Sequence, residues 1–291
     1  MNTIQESLKY SFIQYADRVA ITCEDNNVTF SDLNDSSNYI TEYLLESGFN
    51  KGDLIGVLAD RKENSISIIL GILKAGCIFV PLDSNLPIER IKDLINCIDL
   101  SLIITDEDFE TKSSLKFVEI KSLVNTIKYN VELKDKNRLK KDSCKNNVEY
   151  EDNDPVYIYF TSGTSGKPKA FLGKNKSLLH FIKWEINEFK IDKDYRISQL
   201  TSIGFDAFLR DMFLPLMVGG TIVILKTKDT LLDCFSLINW IEKYAIKLIH
   251  CVPSVFKIIS LGNLEKTYFK SLKLILMAGE EIHPESLRYW F

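Results

Sequence analysis

Between Ser31 and Thr105 short apolar runs alternate with segments whose apolar residues recur at helical spacing, and this alternation constrains the fold more than any other feature. Ser31 to Ser47 opens polar and continues with Leu33, Tyr39, Ile40, Tyr43, Leu44 and Leu45, a helical stripe closed by Gly48. Asp53 to Ala59 reads as a strand, Asn64 to Ala75 as a helix ending near Gly76, and Ile78 to Leu82 as a strand stopped by Asp83. Pro87 opens a helix through Ile98, and Ser101 to Thr105 is a strand again. The rhythm returns further on, with strands at Val156 to Phe160 and Ala170 to Leu172, a helix at Ser177 to Phe189, and a strand near Ile197 to Ile203. Phe205 and Asp206 open an apolar helix, followed by strand Thr221 to Leu225, helix Leu231 to Tyr244 and strand Ile246 to Cys251. Helix Pro253 to Ser260, strand Leu272 to Met277 and a last helix, His283 to Phe291, complete the pattern. Strand and helix in this order predict βαβ units on mostly parallel sheets, an α/β fold.

One stretch breaks the rhythm. Asn130 to Asp154 is dominated by lysine, asparagine, aspartate and glutamate, and reads for the most part as a solvated connection. The expected division is a first α/β lobe over residues 1–130, a polar connection over 131–154 and a second α/β lobe over 155–291. With 291 residues, 45% of them hydrophobic and 26% charged, the chain can fill the core that such lobes need and has the composition of a soluble globular protein.

A net charge of −4, with lysines scattered among acids, provides no field for nucleic acid. No apolar run reaches the ~18 residues of a membrane span, and the first residues lack a basic patch followed by an apolar segment, so a cytoplasmic location is expected. The six cysteines, Cys23, Cys77, Cys97, Cys144, Cys234 and Cys251, form no C-x-x-C pair, and the reading is buried free thiols. His180, His250 and His283 are far apart and point to no metal site.

The chemistry is densest from Tyr157 to Ala170. The strand Val156 to Phe160 reads as buried on both faces and feeds a loop containing Thr161, Ser162, Gly163, Thr164, Ser165, Gly166, Lys167 and Lys169. Glycines let backbone N–H groups approach an anion, hydroxyls add donors, and lysines add charges suited to phosphate. The loop is not a G-x-x-x-x-G-K-[ST] nucleotide loop: Thr161 stands where the first glycine belongs, and Pro168 follows Lys167 and denies the helix start on which that loop depends. The bland alternative is a flexible turn between two strands.

T-S-G-T-S-G-K-P-K resembles the phosphate loop of the adenylate-forming enzymes, which include acyl-CoA synthetases, luciferases and the amino-acid-activating domains of nonribosomal peptide synthetases. Val28 to Asn34 and Leu73 to Asp83 resemble two earlier motifs of the amino-acid-activating domains and read as architectural, the second through a helix-capping Gly76 and a buried strand. Phe205 to Phe208, F-D-A-F, resembles their F-D-x-S motif, with Phe208 where serine is usual. Leu272 to Glu281 resembles the strand leading to their G-G-E turn, with Ala278 replacing the first glycine. The resemblance implies the large N-terminal domain of those enzymes, built of two similar lobes.

It also implies roles. Thr161, Ser162, Gly163, Thr164, Ser165, Gly166, Lys167 and Lys169 would hold nucleotide phosphates. Asp206 would hold the substrate's α-ammonium group, for which a carboxylate is the natural partner. Taken alone, Asp206 could as well cap a helix or pair with Arg210. Ala207, Arg210, His250, Leu276 and Ala278 align with the family's specificity pocket, and Arg210 with His250 suggests a polar or acidic amino acid. The implied reaction is ATP-dependent activation of an amino acid as its aminoacyl adenylate for a phosphopantetheine carrier protein's thiol. ATP and Mg²⁺ are the implied cofactors, and no metal ligand, nucleic-acid partner or membrane partner is implied.

The adenine and magnesium segment, the ribose aspartate and the catalytic lysine of the family have no counterpart before Phe291, so no catalytic residue is identified. The expectation is an incomplete chain that makes no adenylate by itself and leaves Tyr289, Trp290 and Phe291 as an exposed aromatic patch. An acyl or aryl acid ligase, a non-catalytic remnant and an unrelated nucleotide-binding α/β protein are the competing readings.

Overall fold

The computed structural model describes residues 2–60, 63–105, 126–128, 148–162, 168–261, 269–288 and 290. In chain order the elements are α1 (Ile4–Gln14), β1 (Val19–Cys23), β2 (Asn26–Thr29), α2 (Phe30–Glu46), β3 (Leu54–Ala59), α3 (Glu63–Lys74), β4 (Ile78–Asp83), α4 (Ile88–Ile95), β5 (Leu102–Thr105), β6 (Thr126–Lys128), β7 (Pro155–Ser162) and β8 (Pro168–Lys174). They continue with α5 (Asn175–Phe189), β9 (Arg196–Gln199), α6 (Phe208–Val218), β10 (Thr221–Ile224), α7 (Lys228–Leu232), α8 (Cys234–Lys243), β11 (Leu248–Cys251), α9 (Pro253–Ser260) and β12 (Leu274–Met277), and a 3-10 turn follows at Pro284–Leu287.

Local chemistry accounts for the helix ends. The segment Val28 to Asn34 is a helix start: the Thr29 hydroxyl accepts the Asp32 N–H while the Asp32 carboxylate accepts the Thr29 N–H, a reciprocal cap. Gly76, at φ +78°, closes α3 in a conformation that favours glycine. The expected helix from Leu231 to Tyr244 is broken in two, because Asp233 caps α8 by accepting the Ser236 N–H at 2.7 Å.

The strands form two six-stranded sheets of matching plan, in the orders β6-β5-β3-β4-β7-β8 and β12-β11-β9-β10-β1-β2. In each, five strands run parallel and the last is an antiparallel hairpin partner, β8 on β7 and β2 on β1. Strand membership does not follow the division expected near 131–154. Strands β1 and β2 join the sheet of the later strands through Ile21 beside Ile222, and β7 joins the earlier strands through Phe79 beside Tyr157. Residues 131–147 lie outside the described residues. From residue 148 the chain lies against α3 and the turn before β3, the Tyr150 hydroxyl donating to the Lys74 carbonyl at 2.7 Å and Lys51 pairing with Asp154 at 2.7 Å.

Period-two alternation places the core. Ile55, Val57, Phe79, Leu102 and Ile104 of one sheet and Ile21, Ile197, Ile222, Ile224 and Leu248 of the other are buried in one cluster with α1, α2, α3, α5 and α6. The outer face of the first sheet is covered by α4 through Leu58, Val80, Ile91 and Leu94. That of the second is covered by α8 and α9 through Val223, Ile249, Ile241 and Ile259.

Two expectations need correction. Trp290 is not in an exposed helix: it follows the 3-10 turn, donates its indole N–H to the Ser260 Oγ at 2.8 Å, and packs on Phe256 and Phe269 with ring centroids 5.1 and 6.0 Å away. Helix α9 and Phe269 supply the cover that the sequence alone does not reveal; Tyr289 and Phe291 lie outside the described residues. The thiols are also not uniformly buried. Burial pushes Cys23 and Cys77 up to about 12, whereas Cys97 is exposed; Cys144 lies outside the described residues.

Candidate functional site

Strands β7 and β8 form a hairpin at the edge of the first sheet. Its last pairs are Thr161 with Lys169 and Ser162 with Pro168, so the loop springs from the end of a regular ladder. Gly163, Thr164, Ser165, Gly166 and Lys167 lie outside the described residues. Thr161 and Lys169 are exposed, and the Thr161 hydroxyl donates to the Lys169 carbonyl at 3.5 Å. The Lys169 ammonium has no ion-pair partner among the described residues, which leaves its charge available to an anion.

Aromatic packing fixes the strand beneath the loop. Tyr157 lies across Gly173, where an added Cβ would come within 1.9 Å of the ring, and Tyr159 stacks on Phe171 at 6.1 Å. Tyr159 is buried, and its hydroxyl has no partner among the described residues. Burial first, and the charge of Asp206 second, raise the pKa of both Tyr157 and Tyr159.

Asp206 stands just before α6, in the turn beyond β9. Its carbonyl accepts the Leu209 N–H at 2.9 Å, and its carboxylate takes no hydrogen bond or ion pair from a described residue. The helix begins at Phe208 with Ala207 at its cap and no side-chain cap bond, so Asp206 neither opens the helix as expected nor pairs with Arg210. The exposed Asp206 and the half-buried Ala207 lie where ligands gather in open α/β sheets. The order β12-β11-β9-β10 reverses direction between β9 and β11, and the chain leaves the carboxyl ends of those strands on opposite sides. The Ser202 hydroxyl donates to the Asp83 carboxylate here, tying the end of β4 in one sheet to the turn beyond β9 in the other.

Behind this point is a buried ionic cluster. Arg210 donates through Nε and Nη2 to the two oxygens of Glu185 at 3.0 and 2.9 Å. His250, at the end of β11, places Nε2 2.5 Å from Glu185 Oε1 and Nδ1 2.8 Å from Asp211 Oδ1. Glu185 and Asp211 are both 0% exposed. Burial opposes the charge on Glu185, but hydrogen bonds from His250 and Arg210 outweigh it and hold the carboxyl below the usual carboxylate range. Burial likewise opposes the charge on His250, and its bonds to Asp211 and Glu185 outweigh it and raise the imidazole.

Of the expected pocket residues, the fold brings Arg210 and His250 together through Glu185, and sets Leu276 beside His250 across the β11–β12 ladder. Ala278 lies exposed past the end of β12, outside the cluster. Sequence reasoning missed Glu185 and Asp211. Glu185 falls three residues after Ile182 on the apolar face of its helix, and Asp211 stands inside the apolar run F-L-R-D-M-F-L; ionisable residues so placed are buried only when paired. Their partners had no local signal.

The family model described as AMP-binding enzyme matches residues 9–291. Gramicidin S synthase 1 of Brevibacillus brevis is 26% identical over 291 residues, covering 99% of this chain and 25% of that protein. Bacitracin synthase 3 of Bacillus licheniformis is 27% identical over 274 residues, covering 94% of this chain and 4% of that protein. The chain thus spans a quarter or less of the curated relatives it matches. The nonribosomal peptide synthetase FmoA3, solved in an AMPPNP-bound form, has the same fold at TM-score 0.85 and 18% identity, over 99% of this chain and 30% of that one. Among the described residues no helix is long and apolar enough to cross a membrane.

Proposed function

The chain belongs to the AMP-binding enzyme family, and from that premise we propose that it carries the phosphate loop and amino-acid pocket of a module that activates an amino acid with ATP. The substrate carboxylate attacks the α-phosphate, pyrophosphate leaves, and the aminoacyl adenylate goes on to a carrier-protein thiol. Thr161, Ser162 and Lys169, with the loop residues Gly163, Thr164, Ser165, Gly166 and Lys167, hold phosphate oxygens. Such chemistry rests on positioning and on neutralising charge in flight. The exposed Thr161 hydroxyl and Lys169 ammonium at the open end of the hairpin fit a polyphosphate. Magnesium would offset the charge of that polyphosphate when bound; among the described residues no group of three His, Cys, Asp or Glu side chains is placed to hold a metal ion.

The observation that carries the reading is Asp206. Its carboxylate is unpaired among the described residues and lies at the switch point of the second sheet. An unpaired acid there suits the α-ammonium of an amino acid and has no use in a pocket for a fatty or aryl acid. In a protein that joins this chain to the family's C-terminal part, Asp206→Asn should reduce amino-acid-dependent pyrophosphate–ATP exchange by the equivalent of about 2 kcal/mol, the worth of a charged hydrogen bond. The melting temperature should stay unchanged, because no described residue depends on that carboxylate. Equal losses for carboxylic acids with and without an α-amino group would refute the assignment.

A further inference from the structure

Glu185 belongs to no motif of the sequence and to no strand end, yet both basic residues of the expected pocket, Arg210 and His250, are bonded to it. Carboxylates accept hydrogen bonds and do not donate them, so an imidazole with a carboxylate oxygen on each ring nitrogen needs a proton on both. His250 meets that condition, with Glu185 Oε1 at 2.5 Å and Asp211 Oδ1 at 2.8 Å. The cluster then contains two anions, Glu185 and Asp211, and two cations, Arg210 and His250, and is neutral as a whole. The ionisable groups facing His250 are Glu185 from α5 and Asp211 and Arg210 from α6, while β12 sets the apolar Leu276 beside it. The second oxygen of Asp211 accepts the Thr201 N–H at 3.4 Å. Arg210 lies over the Phe181 ring at 5.4 Å and is 16% exposed, with Nη1 free of any described partner.

We propose that Glu185 is a positioning residue that determines specificity: it neutralises Arg210 and locks His250 against Asp211, so the pocket presents a polar wall without net charge and takes an amino acid whose side chain is neutral and accepts hydrogen bonds. The proposal rests on the amino-acid-activating reading above and replaces the polar-or-acidic expectation with a narrower one. A substrate carboxylate would meet a guanidinium already bound twice by Glu185, and a substrate ammonium would meet two carboxylates already bound by His250 and Arg210. Either would bring an unpaired charge to a buried, balanced set, which is costly. A side-chain carbonyl or hydroxyl can instead accept from the free Nη1 of Arg210.

Two measurements test it. The first is a pH titration of the His250 ring nitrogens by nuclear magnetic resonance on the 291-residue chain, with a histidine-containing unfolded peptide as reference. His250 should keep its second proton to higher pH than a histidine in an unfolded peptide, and Glu185→Gln should weaken its proton affinity tenfold or more. Should the single variant fail to fold, the double variant Glu185→Gln, Arg210→Gln removes one charge of each sign; loss of the opposing guanidinium offsets part of the effect, so the proton affinity of His250 should still fall, by less than tenfold. Titration of His250 at or below the ordinary histidine value of 6.5 in the unaltered chain would overturn the proposal.

The second is amino-acid binding, followed by calorimetry with glutamine, asparagine and serine against glutamate, aspartate, lysine and leucine. Neutral polar side chains should bind at least tenfold more tightly than charged or apolar ones, and Glu185→Gln should move the glutamine-to-glutamate ratio tenfold or more toward glutamate. A preference for charged or apolar residues, or a ratio unmoved by the substitution, would overturn the substrate assignment while leaving amino-acid activation intact. No response to any amino acid would overturn both.

Discussion

A carboxylate with no solvent exposure, such as that of Glu185, persists in the ionised form only because Arg210 and His250 donate to it. Its lowered folded pKa contributes stability that is present above the ordinary value of 4.5 and is lost as pH falls through the lower folded value. His250 works in the opposite sense. Its folded pKa is raised above 6.5, so its contribution is fully present below 6.5 and is lost as pH rises through the folded value. The chain should therefore melt at progressively lower temperature on the alkaline side of neutrality. His250→Asn should flatten that slope and cost about 3–5 kcal/mol near neutrality, as expected when one partner of a buried ionic set is removed. Parallel slopes for the two proteins between mildly acidic and alkaline pH would show that His250 is not the group responsible. Asp206 and Arg210 were legible as residues of interest from F-D-A-F-L-R, but the partner of Arg210 was not. Local spacing pointed to Asp206 four residues before it, whereas the fold supplies Glu185, 25 residues away in sequence.

At the scale of elements, helix pairing is limited by the smallest residue at the contact. Helices α2 and α3 cross where Gly71 faces Ile40 and Ser37; an added Cβ would meet the Ile40 Cβ at 2.5 Å and the Ser37 carbonyl at 2.7 Å. Alanine at this point would gain about 1 kcal/mol of helix propensity. Neither neighbour can move aside as a flexible side-chain end could, so overpacking of about 1–3 kcal/mol should prevail. Gly71→Ala is expected to lower the midpoint of denaturant unfolding; a raised midpoint would mean that the helices can separate freely. Most strands and helices were legible because hydrophobic period and capping residues are local. Helix α1 and the β1–β2 hairpin escaped notice, although Ile4, Leu8 and Phe12 repeat at four-residue spacing and V-A-I-T-C runs into E-D-N-N, ordinary signals of a helix and of a hairpin.

For the whole molecule, the central cluster draws on both sheets, with Ile55, Phe79 and Leu102 packed in the same core as Ile21, Ile222 and Leu248. A core shared in this way should give one cooperative transition. All three tryptophans, Trp184, Trp240 and Trp290, lie after residue 155, so their fluorescence reports on the later part of the chain while far-ultraviolet circular dichroism reports on all of it. Coincident unfolding curves are expected; an earlier or later fluorescence transition would mean that the parts on either side of residues 131–154 unfold separately. The alternation of period two with period 3.6, the turn residues and the loop from Thr161 to Lys169 are properties of neighbours in sequence, and from them the sequence alone determined the α/β class, the two similar sheets and the hairpin from which that loop springs. Only the tertiary structure decided that β1 and β2 cross to the later sheet, that β7 crosses to the earlier one, and that His250 is enclosed by Glu185, 65 residues away in sequence, and Asp211, 39 residues away. Sheet membership and a buried proton's partners depend on which distant segments pack together, and the free energy of that packing has no signature within a single stretch of chain.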